Sequence, residues 1–146
     1  MDEPTCDINR LGDMTLSVPL SHGEFFDRLT ILEIKREKIT DARKLEFIKE
    51  ALAEYRSIVF CSVPRASEVA SQTDELRQIN TAIWDLEILV REFVRTNDFG
   101  PAFIEATRAI NAKRDRRTDI KSEIDKLLET DLCEVNDHRQ PAIGDV

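Results

Sequence analysis

"LRQINTAIWDLEILVREF", residues 76–93, decides the fold. Leu76, Ile79, Ile83, Leu86, Val90 and Phe93 alternate at spacings of three and four. That is the seven-residue rhythm of a helix with one continuous apolar seam, and such a seam must lie lengthwise on another helix. The stretch that answers it is "GPAFIEATRAINAKRDRRTDIKSEIDKLL", residues 100–128, where Phe103, Ala106, Ile110, Ile120, Ile124 and Leu127 keep a helical spacing. Gly100-Pro101 has the composition of a helix start, since proline at the first helical position loses no hydrogen bond. "TNDFGP" (96–101) therefore reads as the turn of a helical hairpin. Its third helix begins within 67–75 and runs to Arg95, and its fourth runs from Pro101 to about Glu129. At about 1.5 Å per residue the hairpin is roughly 40 Å long.

Upstream, "SHGE" (21–24) is a capping box, with Ser21 as N-cap and Glu24 three residues on. It predicts a first helix to about Ile39. "TDAR" (40–43) breaks the pattern, and Thr40 or Asp41 caps a second helix over about 43–59. "CSVPRAS" (61–67) reads as a loop. "MTLSVPL" (14–20) alternates apolar and polar residues with period two, which predicts an extended segment. A single strand cannot stand alone, so it must lie on the helices or pair with the C-terminal tail or another subunit. The expected architecture is all-α: an antiparallel four-helix bundle with a long C-terminal helical hairpin and a short extended N-terminal segment. Residues 1–13 are assigned to a flexible tail, 14–130 to the bundle domain and 131–146 to a C-terminal tail.

Hydrophobic residues make up 41% of the 146 and charged residues 34%, with 4 Gly and 5 Pro, the composition of a folded helical chain. The formal net charge of −8 opposes nucleic-acid binding and attachment to anionic membranes. No apolar run reaches the ~20 residues that span a bilayer, and "MDEPTCDINRLGDM" lacks the order of a signal peptide. A cytoplasmic protein is expected. Cys6, Cys61 and Cys133 form no metal-type spacing with each other or with His22 and His138. No metal site and no cofactor are predicted.

The functional clue is a fault in the fourth helix: the seam between Ile110 and Ile120 lands on Lys113 and Arg117. Similar placements occur elsewhere. On the first helix Arg36 falls inside the arc of Phe25, Leu29, Leu32 and Ile39, with Glu33 beside it. On the third, Trp84, Glu87 and Arg91 form a stripe with Asn80 along the main seam. Buried cations require buried anions or an anionic ligand. Glu33, Arg36, Trp84, Glu87, Arg91, Lys113 and Arg117 are thus expected to form an interior polar layer. The layer has two readings. It consists of salt bridges that fix helix register, Arg117 with Glu87 among them, or it lines a pocket for a small anionic ligand. Glu24 and Asp27 share one helical face and form a secondary acidic pair of the kind metal-dependent hydrolases use. The capping box accounts for Glu24 without a metal. Ile31 and Ile34 point away from the main apolar arc of the first helix, which predicts a homodimer through that helix or through the extended segment.

"SHGEFFDRLTILEIKREKI" (21–39), "INTAIWDLEILVREF" (79–93) and residues 98–128 together resemble a family of small bacterial helical proteins of unknown function, often encoded near glycosyltransferase and surface-polysaccharide genes. The matching positions are Ser21, Gly23 and Glu24, then Asp27-Arg28, Thr30 to Glu33, and Lys35. Later ones are Trp84, Glu87, Arg91, Asp115, Arg117 and Lys121. Ile88 and Arg114 stand where that pattern has Asp and Asn, which marks a divergent member. The family brings no activity with it; the leading expectation is a non-catalytic accessory or interaction protein of a bacterial biosynthetic pathway. The alternative is a small enzyme or binding protein whose charged layer takes an anionic, sugar-phosphate or nucleotide-type ligand.

Overall fold

A computed structural model describes residues 16–129. The tails assigned to 1–13 and 131–146, and Met14 of the extended segment, lie outside the described residues. Among the described residues four α-helices occur in order: α1 His22–Lys38, α2 Ala42–Ser62, α3 Ala70–Arg95 and α4 Pro101–Leu127, with a 3-10 turn at Ala66–Val69 before α3. The chain is the all-α helical bundle that the periodicity predicts.

The helix ends obey local chemistry. The Ser21 hydroxyl accepts from the Glu24 amide at 3.1 Å and opens α1. The Asp41 carboxylate accepts from the Lys44 amide at 2.9 Å and opens α2. α2 runs through Cys61 and Ser62, where the sequence predicts a loop. It stops at Val63, which precedes a proline and leaves the helical region at φ −125°, ψ 73°. α3 ends in a Schellman motif. Asn97 sits at φ 54°, the Asp98 amide reaches the Phe93 carbonyl at 2.9 Å, and the Asn97 amide reaches that of Val94 at 3.2 Å.

Three helices share the core. α3 and α4 are antiparallel, and α1 runs parallel to α3 and antiparallel to α4. Phe26, Leu29, Leu76, Ile79, Ile83, Ile120 and Ile124 are all under 9% exposed between them. α2 joins through α1, where Phe25 stacks on Tyr55 with ring centroids 4.9 Å apart and Leu52 is buried. Of the extended segment, Leu20 packs on the core, whereas Leu16 and Val18 are 93% and 68% exposed.

α1 and α4 meet backbone to backbone at Gly23. A Cβ on Gly23 would stand 2.2 Å from the Lys121 carbonyl oxygen and 2.8 Å from its carbonyl carbon. Both are backbone atoms and cannot rotate aside. Alanine gains up to ~1 kcal/mol over glycine in a helix, but forcing two helices apart costs more. Gly23→Ala is expected to destabilise by at least about 2 kcal/mol, measured by urea denaturation. An unchanged or higher midpoint would show that α4 yields freely.

Candidate functional site

The first turns of α1 hold a buried polar junction against α3 and α4. The Gly23 amide donates to Asp125 Oδ1 at 2.7 Å. Lys121, 6% exposed, pairs its ammonium with Glu24 Oε2. One turn on, Asn80 Nδ2 donates to Asp27 Oδ1 at 2.7 Å and to Thr30 Oγ1 at 2.9 Å. Thr30 Oγ1 itself donates to the Asp27 carbonyl at 2.7 Å. Arg117 Nη1 donates to the remaining oxygen of Asn80 at 3.1 Å. Asp27 and Asn80 are each 5% exposed and Thr30 is fully buried.

Arg117 emerges from this junction into a cleft of about 210 Å³ between the last two turns of α1, α3 and α4. Ile31, Ile34 and Ile83 give it apolar walls, Trp84 an aromatic one, and Lys35, Asn80, Glu87 and Arg117 its polar groups. Glu87 is neutralised by Arg114, 2.9 Å away. Among the described residues, no carboxylate is in ion-pair contact with Lys35 or Arg117. The cleft therefore carries two cations whose charge is not cancelled at contact distance.

The structure brings together Trp84, Glu87 and Arg117 of the expected layer and separates the rest. Glu33 pairs instead with Arg77 at 2.7 Å. Arg36 and Arg91 are exposed, and Lys113 is half-buried outside the cleft wall. The expected Arg117–Glu87 pair is replaced by Arg117–Asn80 and Arg114–Glu87. Glu24 and Asp27 diverge, one to Lys121 and Arg28, the other to Asn80. Among the described residues no group of three or more His, Cys, Asp or Glu side chains is placed to hold a metal. Sequence periodicity does not single out Lys35, Thr30, Lys121 or Asp125 as site residues. It shows Asn80 only as one polar member of the α3 stripe.

Burial pushes the Asp27 carboxyl above its usual value, against the opposing pull of Asn80, Arg117 and Lys121; the nearby Glu24 charge adds to the rise. Burial likewise raises Asp125, despite hydrogen bonds from the Gly23 amide and Ser21. Glu24 is also raised by burial, but hydrogen bonds from Lys121 and Arg28 outweigh that and hold it low.

Comparison with protein-family models, with curated proteins and with solved structures finds no match to this chain.

The junction can be tested at two of its members. A carboxyl whose pKa is raised on folding binds its proton more tightly in the folded state. Its ionisation therefore weakens the fold as pH rises through and above the ordinary value of 3.8. Asp27→Asn keeps an acceptor for Asn80 and removes that penalty, so its melting temperature at pH 7 should equal or exceed that of the wild type. A clear drop would show that the Asp27 charge is needed by Arg117 and Lys121. Asn80→Ala strands Asp27 and Thr30 and should cost about 2–3 kcal/mol in chemical denaturation. A loss under ~0.5 kcal/mol would mean that water replaces the amide.

Proposed function

We propose that this protein binds a small anionic ligand in the cleft between α1, α3 and α4. The observation that supports the reading is the pairing of Lys35 and Arg117, uncancelled at contact distance, with an aromatic and aliphatic wall in one concavity. Binding pockets are mostly apolar with a few convergent polar groups that fix orientation. Here the cations take a phosphate or carboxylate, and Trp84 with the isoleucines packs against a ring or short carbon skeleton. Size narrows the class. At about 210 Å³ the cleft lies below the ~300–1,000 Å³ of drug-sized pockets. A sugar phosphate or dicarboxylate fits better than a whole nucleotide sugar. In this reading the protein acts as a homodimer and as a binding protein, the alternative to a purely accessory role.

Trp84 is the sole tryptophan and stands in the cleft wall, so its fluorescence reports occupancy directly. Titration with a panel of sugar phosphates and dicarboxylates, with inorganic phosphate as the minimal probe, should give a saturable change for at least one compound. At 100 times its dissociation constant that compound should stabilise the fold by about 2.7 kcal/mol. Arg117→Met should remain folded, since it loses one half-buried hydrogen bond worth about 1 kcal/mol, and should lose the response. No response across the panel would refute the reading.

A further inference from the structure

The cleft has two chemically different ends, and the register of α1 on α3 sets them apart. Arg117 marks the first. Its guanidinium donates to Asn80 Oδ1 at 3.1 Å, and Asn80 is tied in turn to Asp27 and Thr30 of α1. The second end lies further along both helices. α1 and α3 run parallel, Lys35 comes five residues after Thr30, and Glu87 comes seven after Asn80. At about 1.5 Å per residue their backbones stand roughly 8–10 Å beyond the Asn80–Thr30 contact. Ile31, Ile34, Ile83 and Trp84 wall the space between the two ends. By helical angle Ile31 and Ile34 point away from the main arc of α1. In the structure they face this cleft, and Ile34 is 3% exposed.

Donors and acceptors differ between the ends. A guanidinium donates and never accepts, so the Arg117 end suits the oxygens of an anion. The other end is mixed. The Lys35 ammonium carries three donors, and the Glu87 carboxylate only accepts. Arg114 meets Glu87 Oε1 at 2.9 Å from outside the cleft wall. It holds the carboxylate in place and leaves the second oxygen able to accept. A hydroxyl both donates and accepts, so one hydroxyl answers Glu87 and Lys35 together. A ligand carboxylate only accepts, and beside Glu87 it sets two like charges against each other.

We propose that the ligand of this cleft is a hexose or pentose phosphate, and that Glu87 is the residue that selects it over dicarboxylates and over anions without hydroxyls. The inference rests on the anion-binding reading of the cleft and narrows its ligand to one class. The phosphate sits on the Arg117 guanidinium. The sugar ring lays its C–H face on Trp84 and the isoleucines. A ring hydroxyl at the far end donates to Glu87 and accepts from Lys35, whose three donors serve the phosphate and the hydroxyl alike. The charge pattern agrees. A sugar phosphate concentrates its charge at one end and leaves the other neutral, whereas a dicarboxylate charges both. The length agrees too, since roughly 8–10 Å between the ends spans a phosphate ester and one sugar ring. Selectivity then comes from a repulsive element, Glu87, as much as from the attractive ones.

The test compares matched ligands on the full chain by Trp84 fluorescence. A set of hexose and pentose phosphates is titrated beside cyclohexyl phosphate, which has a ring and a phosphate but no hydroxyl, and beside succinate. At least one sugar phosphate should bind about tenfold tighter than either, the worth of a hydrogen bond to a charged group. Glu87→Gln removes one partner of a half-exposed ion pair, which contributes little to the fold. It should cut the preference for the sugar phosphate over cyclohexyl phosphate about tenfold, whereas Arg117→Met should weaken all the anions alike. A general loss of stability would not change that ratio. Cyclohexyl phosphate or succinate binding as tightly as the best sugar phosphate would overturn this inference and leave the anion-binding reading standing. No response to any of them would overturn both. A preference that persists in Glu87→Gln would overturn the role given to Glu87. The comparison on the wild-type chain decides the ligand class even where a variant fails to fold.

Discussion

The approach of α1 to α4 at Gly23 is the contact on which the remaining geometry depends. A side chain there would collide with the Lys121 backbone, so the two helices meet through the absence of one. The same close approach brings the Gly23 amide, an otherwise unsatisfied donor of the first turn, within 2.7 Å of Asp125. A carboxylate at a helix N-terminus also meets the positive end of the helix dipole. Once α1 is pinned at that point, helical rise sets the register of its later turns. Glu24 falls on Lys121, and Asp27 and Thr30 fall on Asn80. Ile31, Ile34 and Lys35 come opposite Trp84 and Arg117 in the cleft.

The junction is polar where an apolar layer would cost less. Buried ionic groups are weak evidence of stability, because desolvation offsets much of what their partners return. The rise of Asp27 and Asp125 above their usual values expresses that cost. What the arrangement provides is position. Asn80 is saturated on its donor side by α1, so its oxygen has one direction left, and Arg117 is held by that oxygen at the cleft edge. A methionine at the same place would pack as well but could not present charge to the cleft. A residue held by its neighbours' hydrogen bonds meets a ligand with less rotamer entropy left to lose.

The hairpin is legible in the sequence because its signal is periodic and long, and the caps of α1 and α2 because Ser21 and Asp41 act on amides three residues away. The interior layer is legible only in part. Helical angles show which face a residue occupies on its own helix, but not how far along the neighbour that face reaches. Arg36 lies within the apolar arc of α1 by angle and is exposed in fact, because it sits near the end of a helix that stops at Lys38. Arg91 fails similarly, being on α3 beyond the Lys38–Asp85 contact. Asp125 escapes notice, and Lys121 is marked only by the family pattern, because they flank Ile120 and Ile124 as ordinary surface residues would. Their burial comes from the glycine opposite, a pairing 98 and 102 residues apart along the chain that no local pattern carries.

The mismatch in helix length accounts for both the cleft and the bare end of the hairpin. α1 has 17 residues and its neighbours 26 and 27, so at about 1.5 Å per residue it falls short of them by roughly 14 Å. A longer α1 would cover Val90 and Phe93 and close over Trp84 and Glu87. It would bury the bare hairpin and fill the mouth of the cleft at once. The helix instead ends at Lys38, with Lys35, Arg36 and Lys38 in its last turn. Cations there favour the helix dipole and oppose continuation into an apolar groove. The same short helix thus leaves a cation-bearing concavity at its end and an uncovered apolar seam beyond it.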